Sequence, residues 1–253
     1  MKLVDVHCHL DDSQFKTDLP QVIERAQVAG VVAIISAAIT GDDFPILLEI
    51  SKKYPVVKLA FGLYPDIIRD LPEERIIPFL AQIETHKNEI VAIGEIGLDY
   101  KNTPEGSDRQ KQQKYFIEQL RLAKRLKKPV VIHTRGAEED TLRILADESQ
   151  EDVVLHCFCG TLEQVMFAQE HGWFLSIPVR AKTNKYFQSV IREMPLNKLL
   201  TETDAPLLHY KKERNEPGNV AITIELIAQI KGLNSEEVAN NILSNYIKLF
   251  SRR

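Results

Sequence analysis

Short apolar runs rich in β-branched residues alternate along this chain with segments of helical period, and that alternation constrains the fold more than any other feature. The runs occupy residues 3–6, 31–37, 56–61, 90–93, 130–132, 153–155, 174–177 and 199–201, eight in all. Between and after them, residues 18–29, 43–52, 73–87, 107–127, 138–146, 162–169, 186–193, 220–231 and 235–250 carry helical spacing. In 107–127, for example, Tyr115, Leu120, Leu122, Ala123 and Leu126 build one broad apolar stripe. Strands that alternate with helices imply βαβ units and a parallel sheet. Eight of them in 253 residues predict a closed (β/α)8 TIM barrel, a single α/β domain over residues 1–253.

Composition agrees with a folded enzyme-sized chain and excludes several alternatives. Apolar residues make up 44% and charged residues 27%, which argues against disorder, collagen-like repeats and coiled coil. No stretch of about 18 uncharged apolar residues is present, so no membrane span is expected. Asp5 interrupts the apolar start, which does not read as a secretory signal. The three cysteines, Cys8, Cys157 and Cys159, suggest no disulfide framework and point to a reducing cytoplasm. Cys8 is expected to be a small core residue and the other two packed or loop thiols. The net charge of −4 allows nucleic-acid binding only through a local basic patch or bound cations.

The polar residues at the ends of these runs carry the chemistry. His7 and His9 follow the first run, Glu95 the fourth, His133 the fifth, His156 the sixth and Asp204 the eighth. In a parallel barrel all of these ends lie on one face, where active sites form. Each residue alone reads as a hydrogen-bonded polar group at a strand end. Together, four of the seven histidines and two carboxylates do not neutralise one another at a barrel mouth. Six convergent nitrogen and oxygen ligands suit two divalent cations, and the imidazoles favour zinc, manganese or iron-group ions over magnesium.

These residues lie in five blocks: Val4-Asp5-Val6-His7-Cys8-His9-Leu10-Asp11, Gly94-Glu95-Ile96-Gly97-Leu98-Asp99-Tyr100, Pro129-Val130-Val131-Ile132-His133-Thr134-Arg135, His156-Cys157-Phe158 and Glu202-Thr203-Asp204-Ala205-Pro206. In collinear order they resemble TatD-type metal-dependent deoxyribonucleases, which are amidohydrolase-like barrel hydrolases. The resemblance implies that His7, His9 and Asp204 hold one metal, that His133 and His156 hold the second, and that Glu95 bridges them. It implies two divalent cations, Mg, Mn or Zn, and hydrolysis of DNA phosphodiesters, often as a 3′-to-5′ exonuclease, on DNA that is single-stranded or offers a 3′ end. The chain departs from the family at Gly62-Leu63-Tyr64-Pro65-Asp66, where Gly-Leu-His-Pro-His is usual. It departs again at Gly136, where an aspartate often follows His-Thr-Arg, and in residues 176–183, which lack the usual glycines.

Further roles follow from position. Asp204 is the candidate proton acceptor, with Glu95 as its catalytic partner. Asp5 shares strand parity with His7 and His9, and Glu202 has the same relation to Asp204; each is a candidate to orient a ligand imidazole. An ion pair of Asp5 with a neighbour such as Arg135 is the alternative. Tyr64 and Arg135 are candidate substrate contacts. Arg180 and Lys182 after the seventh run, with Lys211, Lys212 and Arg214 after the eighth, form a candidate basic rim for phosphates. Residues 124–128 suit a helix C-terminus on the opposite face. His86, His171 and His209 are expected at the surface. The same site chemistry is open to esters or amides, such as an aminoacyl-tRNA ester, and a catalytically silent nucleic-acid-binding barrel is a third reading.

Overall fold

The computed structural model describes residues 1–101 and 103–251. Eight strands appear: β1 Leu3–Cys8, β2 Val31–Ala38, β3 Val57–Phe61, β4 Ile90–Asp99, β5 Val130–Arg135, β6 Val153–His156, β7 Phe174–Pro178 and β8 Leu199–Glu202. They pair in sequence order, every neighbour parallel. Helices pack outside: α1 Leu19–Val28, α2 Asp43–Lys53, α3 Pro65–Asp70, α4 Glu73–Thr85, α5 Ser107–Leu126, α6 Glu138–Asp147, α7 Leu162–Glu170, α8 Lys185–Glu193, α9 Val220–Lys231 and α10 Ser235–Phe250. The expected barrel is therefore the observed one. Among the described residues no helix is long and apolar enough to cross a membrane.

The strands run further than their apolar stretches. β4 extends to Asp99, β5 to Arg135 and β6 to His156, so the polar residues after each run are still strand residues and still largely buried. The one helix without a sequence expectation is α3. It has six residues, too few for a periodic stripe, and is started by Pro65 at its first turn, where a missing N–H costs nothing.

Two register shifts matter for the site. Along β4, Ile93 pairs with Val130 and Ile96 with Ile132, so β4 carries one extra residue around Gly94 and Glu95. Along β1, Asp5 pairs with Ile34 and Cys8 with Ser36, an extra residue around Val6 and His7. Such bulges re-aim side chains beside active sites. Gly97 fits the same purpose: its φ is +144°, and a Cβ there would lie 1.9 Å from the His133 carbonyl oxygen. Only glycine lets β4 and β5 come this close.

Between β8 and β1 the barrel is joined by side chains and by the turn that follows β8. Thr201 Oγ1 donates to the Val4 carbonyl at 2.7 Å, and Thr203 N donates to Asp5 Oδ1 at 2.9 Å. Asp204 N reaches the His7 carbonyl at 2.9 Å, and His9 N reaches that of Ala205 at 2.8 Å.

Candidate metal centre

All six predicted ligands meet at the C-terminal mouth of the barrel. Glu95, 4% exposed, stands in the middle and divides its two oxygens. Oε2 lies 3.4 Å from His7 Nε2 and 3.7 Å from His9 Nε2. Oε1 lies 2.8 Å from His133 Nδ1 and 3.1 Å from His156 Nε2. Asp204 joins the first side, its Oδ1 3.5 Å from His7 Nε2 and 3.4 Å from His9 Nε2. Three overlapping groups, His7–His9–Glu95, His7–His156–Asp204 and Glu95–His133–His156, each bring their ligand atoms within 4.8 Å of one another.

The electrostatics of this packing keep both carboxylates ionised among the imidazoles. Burial opposes ionisation of Glu95, yet the charges of His156 and His7 and the His133 hydrogen bond hold it well below the ordinary range. Asp204 behaves alike: burial raises it, and the His9 hydrogen bond with the charges of His156 and His7 more than reverses this. His9 is desolvated but lifted to about 9 by Asp204 and Glu95. His7 goes the other way, lowered by burial and by His156.

Divalent cations fit this set of donors. The ring nitrogens of His7, Nδ1 and Nε2, are buried and make no hydrogen bond. A buried polar atom without a partner is costly unless something else satisfies it. Four imidazoles and two carboxylates are ordinary ligands of zinc, manganese or iron-group ions.

Behind His156 lies Glu202, which the sequence ties to Asp204. Its Oε2 lies 3.4 Å from His156 Nδ1, and it accepts a hydrogen bond from Ser176 Oγ. Asp5 departs from expectation. Its carboxylate accepts from Thr203 N at 2.9 Å, Thr203 Oγ1 at 2.6 Å and His7 N at 3.3 Å, and it touches neither ligand imidazole nor Arg135. The extra residue in β1 breaks simple alternation there, so the side chain faces the β8 junction. Asp5 is a clasp across that junction.

Asp99 was not singled out from the sequence. It is fully buried; its Oδ2 lies 3.1 Å from His133 Nε2 and 2.7 Å from both Nε and Nη2 of Arg135. The Tyr64 hydroxyl is 3.2 Å from His133 Nε2 and donates to Asp99 at 3.4 Å. Even spacing from Glu95 along β4 was the available signal.

The mouth opens into a cavity of about 730 Å3 whose lining includes Tyr64 and Arg135. Its remaining charged edge is acidic: Asp11, Asp12, Asp43 and Glu138. Arg180, Lys182, Lys211, Lys212 and Arg214 are not among its described lining residues. Arg180 and Lys182 are the exposed residues of a short turn after β7, and Lys211 and Lys212 are exposed beyond β8. Arg214 is corrected outright. It donates to Asp18 Oδ1 at 2.7 Å, Asp18 Oδ2 at 2.6 Å and Glu216 at 2.7 Å. With its guanidinium held by Asp18 and Glu216, it has a scaffold role. The imidazole of His209, expected at the surface, is only 7% exposed. Cys8 is buried in the core as expected.

A (β/α)8 barrel with this centre at the carboxyl ends of its strands defines a metal-dependent hydrolase. The family described as TatD related DNase matches residues 4–251, and the chain belongs to that family. It is 36% identical over 260 residues to human "Deoxyribonuclease TATDN3", covering 99% of this chain and 95% of that one. It is also 36% identical over 258 residues to "Uncharacterized metal-dependent hydrolase YabD" of Bacillus subtilis, covering 98% of each. Among solved structures, the TatD homologue YJJV of Escherichia coli superposes with a TM-score of 0.89 at 29% identity, covering 99% of this chain and 98% of that one.

Proposed function

We propose that this protein hydrolyses phosphodiester bonds in DNA with two divalent cations, one held by His7, His9 and Asp204, the other by His133 and His156, with Glu95 shared. The observation that carries this reading is the division of Glu95 between two sets of imidazoles, one set at each oxygen. When bound, such a pair of cations supplies an acidified water and neutralises charge on the phosphate. The remaining work falls to the chain. Asp204 projects into the mouth beside His9 and takes the proton of the attacking water. Its backbone has a φ of +55°, a conformation aspartate tolerates, pinned by its N–H on the His7 carbonyl. Glu202 holds His156 from behind. Arg135 keeps donors free of Asp99 and presents them to the phosphate; the Tyr64 hydroxyl is the neighbouring donor.

The proposed substrate is a single strand entered from its 3′ end. An acidic edge with one guanidinium disfavours a long run of phosphates and accommodates a strand terminus. Three unpaired cysteines suit a reducing cytoplasm.

The test is Glu95→Ala, with parent and variant assayed for manganese content and for cleavage of a 3′-labelled single-stranded oligonucleotide. Losing the shared carboxylate removes the charge that offsets repulsion between two dications. Both metal equivalents should weaken and turnover should fall at least about 100-fold. A variant that keeps both ions and cleaves at the parent rate would refute the assignment.

A further inference from the structure

We propose that Asp99 is a positioning residue for His133, fixing the ring so that Nδ1 presents its lone pair to the cation shared with His156 and Glu95. The inference rests on the two-cation reading above.

His133 is reached from both sides. Its Nδ1 lies 2.8 Å from Glu95 Oε1, and its Nε2 lies 3.1 Å from Asp99 Oδ2. The other three ligand histidines face the carboxylates through Nε2, so His133 alone of the four turns Nδ1 to the centre. A neutral imidazole carries its proton on one nitrogen only. A carboxylate flanks each ring nitrogen, Glu95 at Nδ1 and Asp99 at Nε2. With a cation between Nδ1 and Glu95, the one proton of the neutral ring belongs on Nε2, where the Asp99 carboxylate accepts it. A carboxylate behind a ligand histidine also fixes ring orientation and strengthens the ligand.

Asp99 can do this because it is itself held. It is fully buried, and a lone buried carboxylate is costly. Arg135 supplies a charge, with two nitrogens at 2.7 Å from Oδ2. Lys101 N donates to Oδ1 at 3.0 Å. The Tyr64 hydroxyl, at the position where the family usually has histidine, closes the group by contacting both His133 Nε2 and Asp99. The main chain is fixed as well: Asp99 N donates to Gln112 Oε1 at 3.0 Å, and Gln112 Nε2 donates back to the Asp99 carbonyl at 3.1 Å. Arg135 thus divides its donors between Asp99 and the mouth, and Tyr64 belongs to the support of a ligand as well as to the cavity wall.

The experiment compares the parent with Asp99→Asn, which keeps size but offers an amide N–H that can donate to Nε2. That favours the tautomer with the proton on Nδ1. Manganese binding is measured by calorimetry on metal-stripped protein, without DNA, and melting is followed with and without manganese. One of the two equivalents should weaken about 10- to 100-fold while the other is unchanged, and the variant should gain less melting temperature from manganese. A merely structural role would lower the metal-free melting temperature and weaken both equivalents together, and that result overturns the proposal. So does a variant that binds both ions as tightly as the parent, which leaves the two-cation reading intact. A parent that binds no ion, or only one, overturns the two-cation reading, and the proposal with it. Tyr64→Phe guards against a variant that fails to fold. It removes only the hydroxyl that touches His133 and Asp99, and a few-fold loss at that same single equivalent supports the proposal, whereas parent-like binding at both equivalents counts against it.

Discussion

Asp5 and Asp99 show how two buried aspartates at one barrel mouth acquire different jobs. Each lies on a strand at even spacing from a metal ligand. Asp99 reaches an imidazole; Asp5 reaches Thr203, 198 residues away in the chain. Burial lifts the Asp5 carboxyl well above its ordinary range, as a group that tethers backbone without a cationic neighbour should be lifted. Asp5→Ala leaves Thr203 N without its buried acceptor, which costs about 2 kcal/mol, while manganese affinity stays within about two-fold of the parent. Urea unfolding of the metal-free protein and a manganese titration separate the two quantities. A large loss of affinity at unchanged stability would return Asp5 to the metal site. The six candidate ligands stood out in the sequence because each is a His, Asp or Glu within three residues of the end of an apolar run. The role of Asp5 did not, because its direction depends on an extra residue in β1. Arg214 was misread for a related reason. Its partner Asp18 is 196 residues distant, and no local pattern reveals that pairing.

At the scale of elements, the helical stripes and strand runs were legible because both faces of every strand are covered, and α9 and α10 span the ranges that periodicity marks out. The ends of the strands were less so. Apolar character stops where the mouth begins, so a reading of apolar runs ends β4 six residues short, at Ile93 in place of Asp99. The long α5 hides another feature. Gln112 and Gln119, seven residues apart on one face, are both fully buried. Gln112 brackets the Asp99 peptide. Gln119 Oε1 accepts from Leu63 N at 2.7 Å and its Nε2 donates to the Leu63 carbonyl at 3.2 Å. As polar residues inside an apolar stripe, they read as interruptions; they are the clamps that hold Leu63 and Asp99 to the helix. Gln119→Leu abandons both hydrogen bonds of Leu63 inside the core and is expected to cost about 2–3 kcal/mol. Chemical denaturation gives the figure directly, and a loss under about 0.5 kcal/mol would show that the loop is held by other contacts.

For the whole molecule, the distribution of charge governs how a chain of net charge −4 meets a polyanion. The rim expected from Arg180, Lys182, Lys211, Lys212 and Arg214 does not line the mouth, and Arg214 is neutralised within the scaffold. On the proposed reading one or two phosphates are contacted, through Arg135 and the cations, and at roughly 0.7 per phosphate on single strands the logarithmic salt slope is expected to be about −1. Lys211→Ala combined with Lys212→Ala leaves that slope as in the parent. Fluorescence anisotropy of a labelled oligonucleotide against salt measures it. A slope steeper than about −2 that flattens in the double variant would restore those lysines to the substrate path.

The junction between β8 and β1 has a consequence for how the molecule is made. Each earlier pairing joins strands that are neighbours in the chain and can form as soon as one βα unit follows another. The last joins Val4 to Thr201 and Asp5 to Thr203, separations of 197 and 198 residues. The entropy of closing so long a loop must be met before those bonds reward it. Closure of the ring therefore needs the chain through Thr203, and the β8–β1 contacts are expected to form last. His9 and Asp204 are brought face to face by that same closure. On the proposed reading, half of the centre is assembled only when the ring closes, and a chain that stops before Asp204 is expected not to cut DNA.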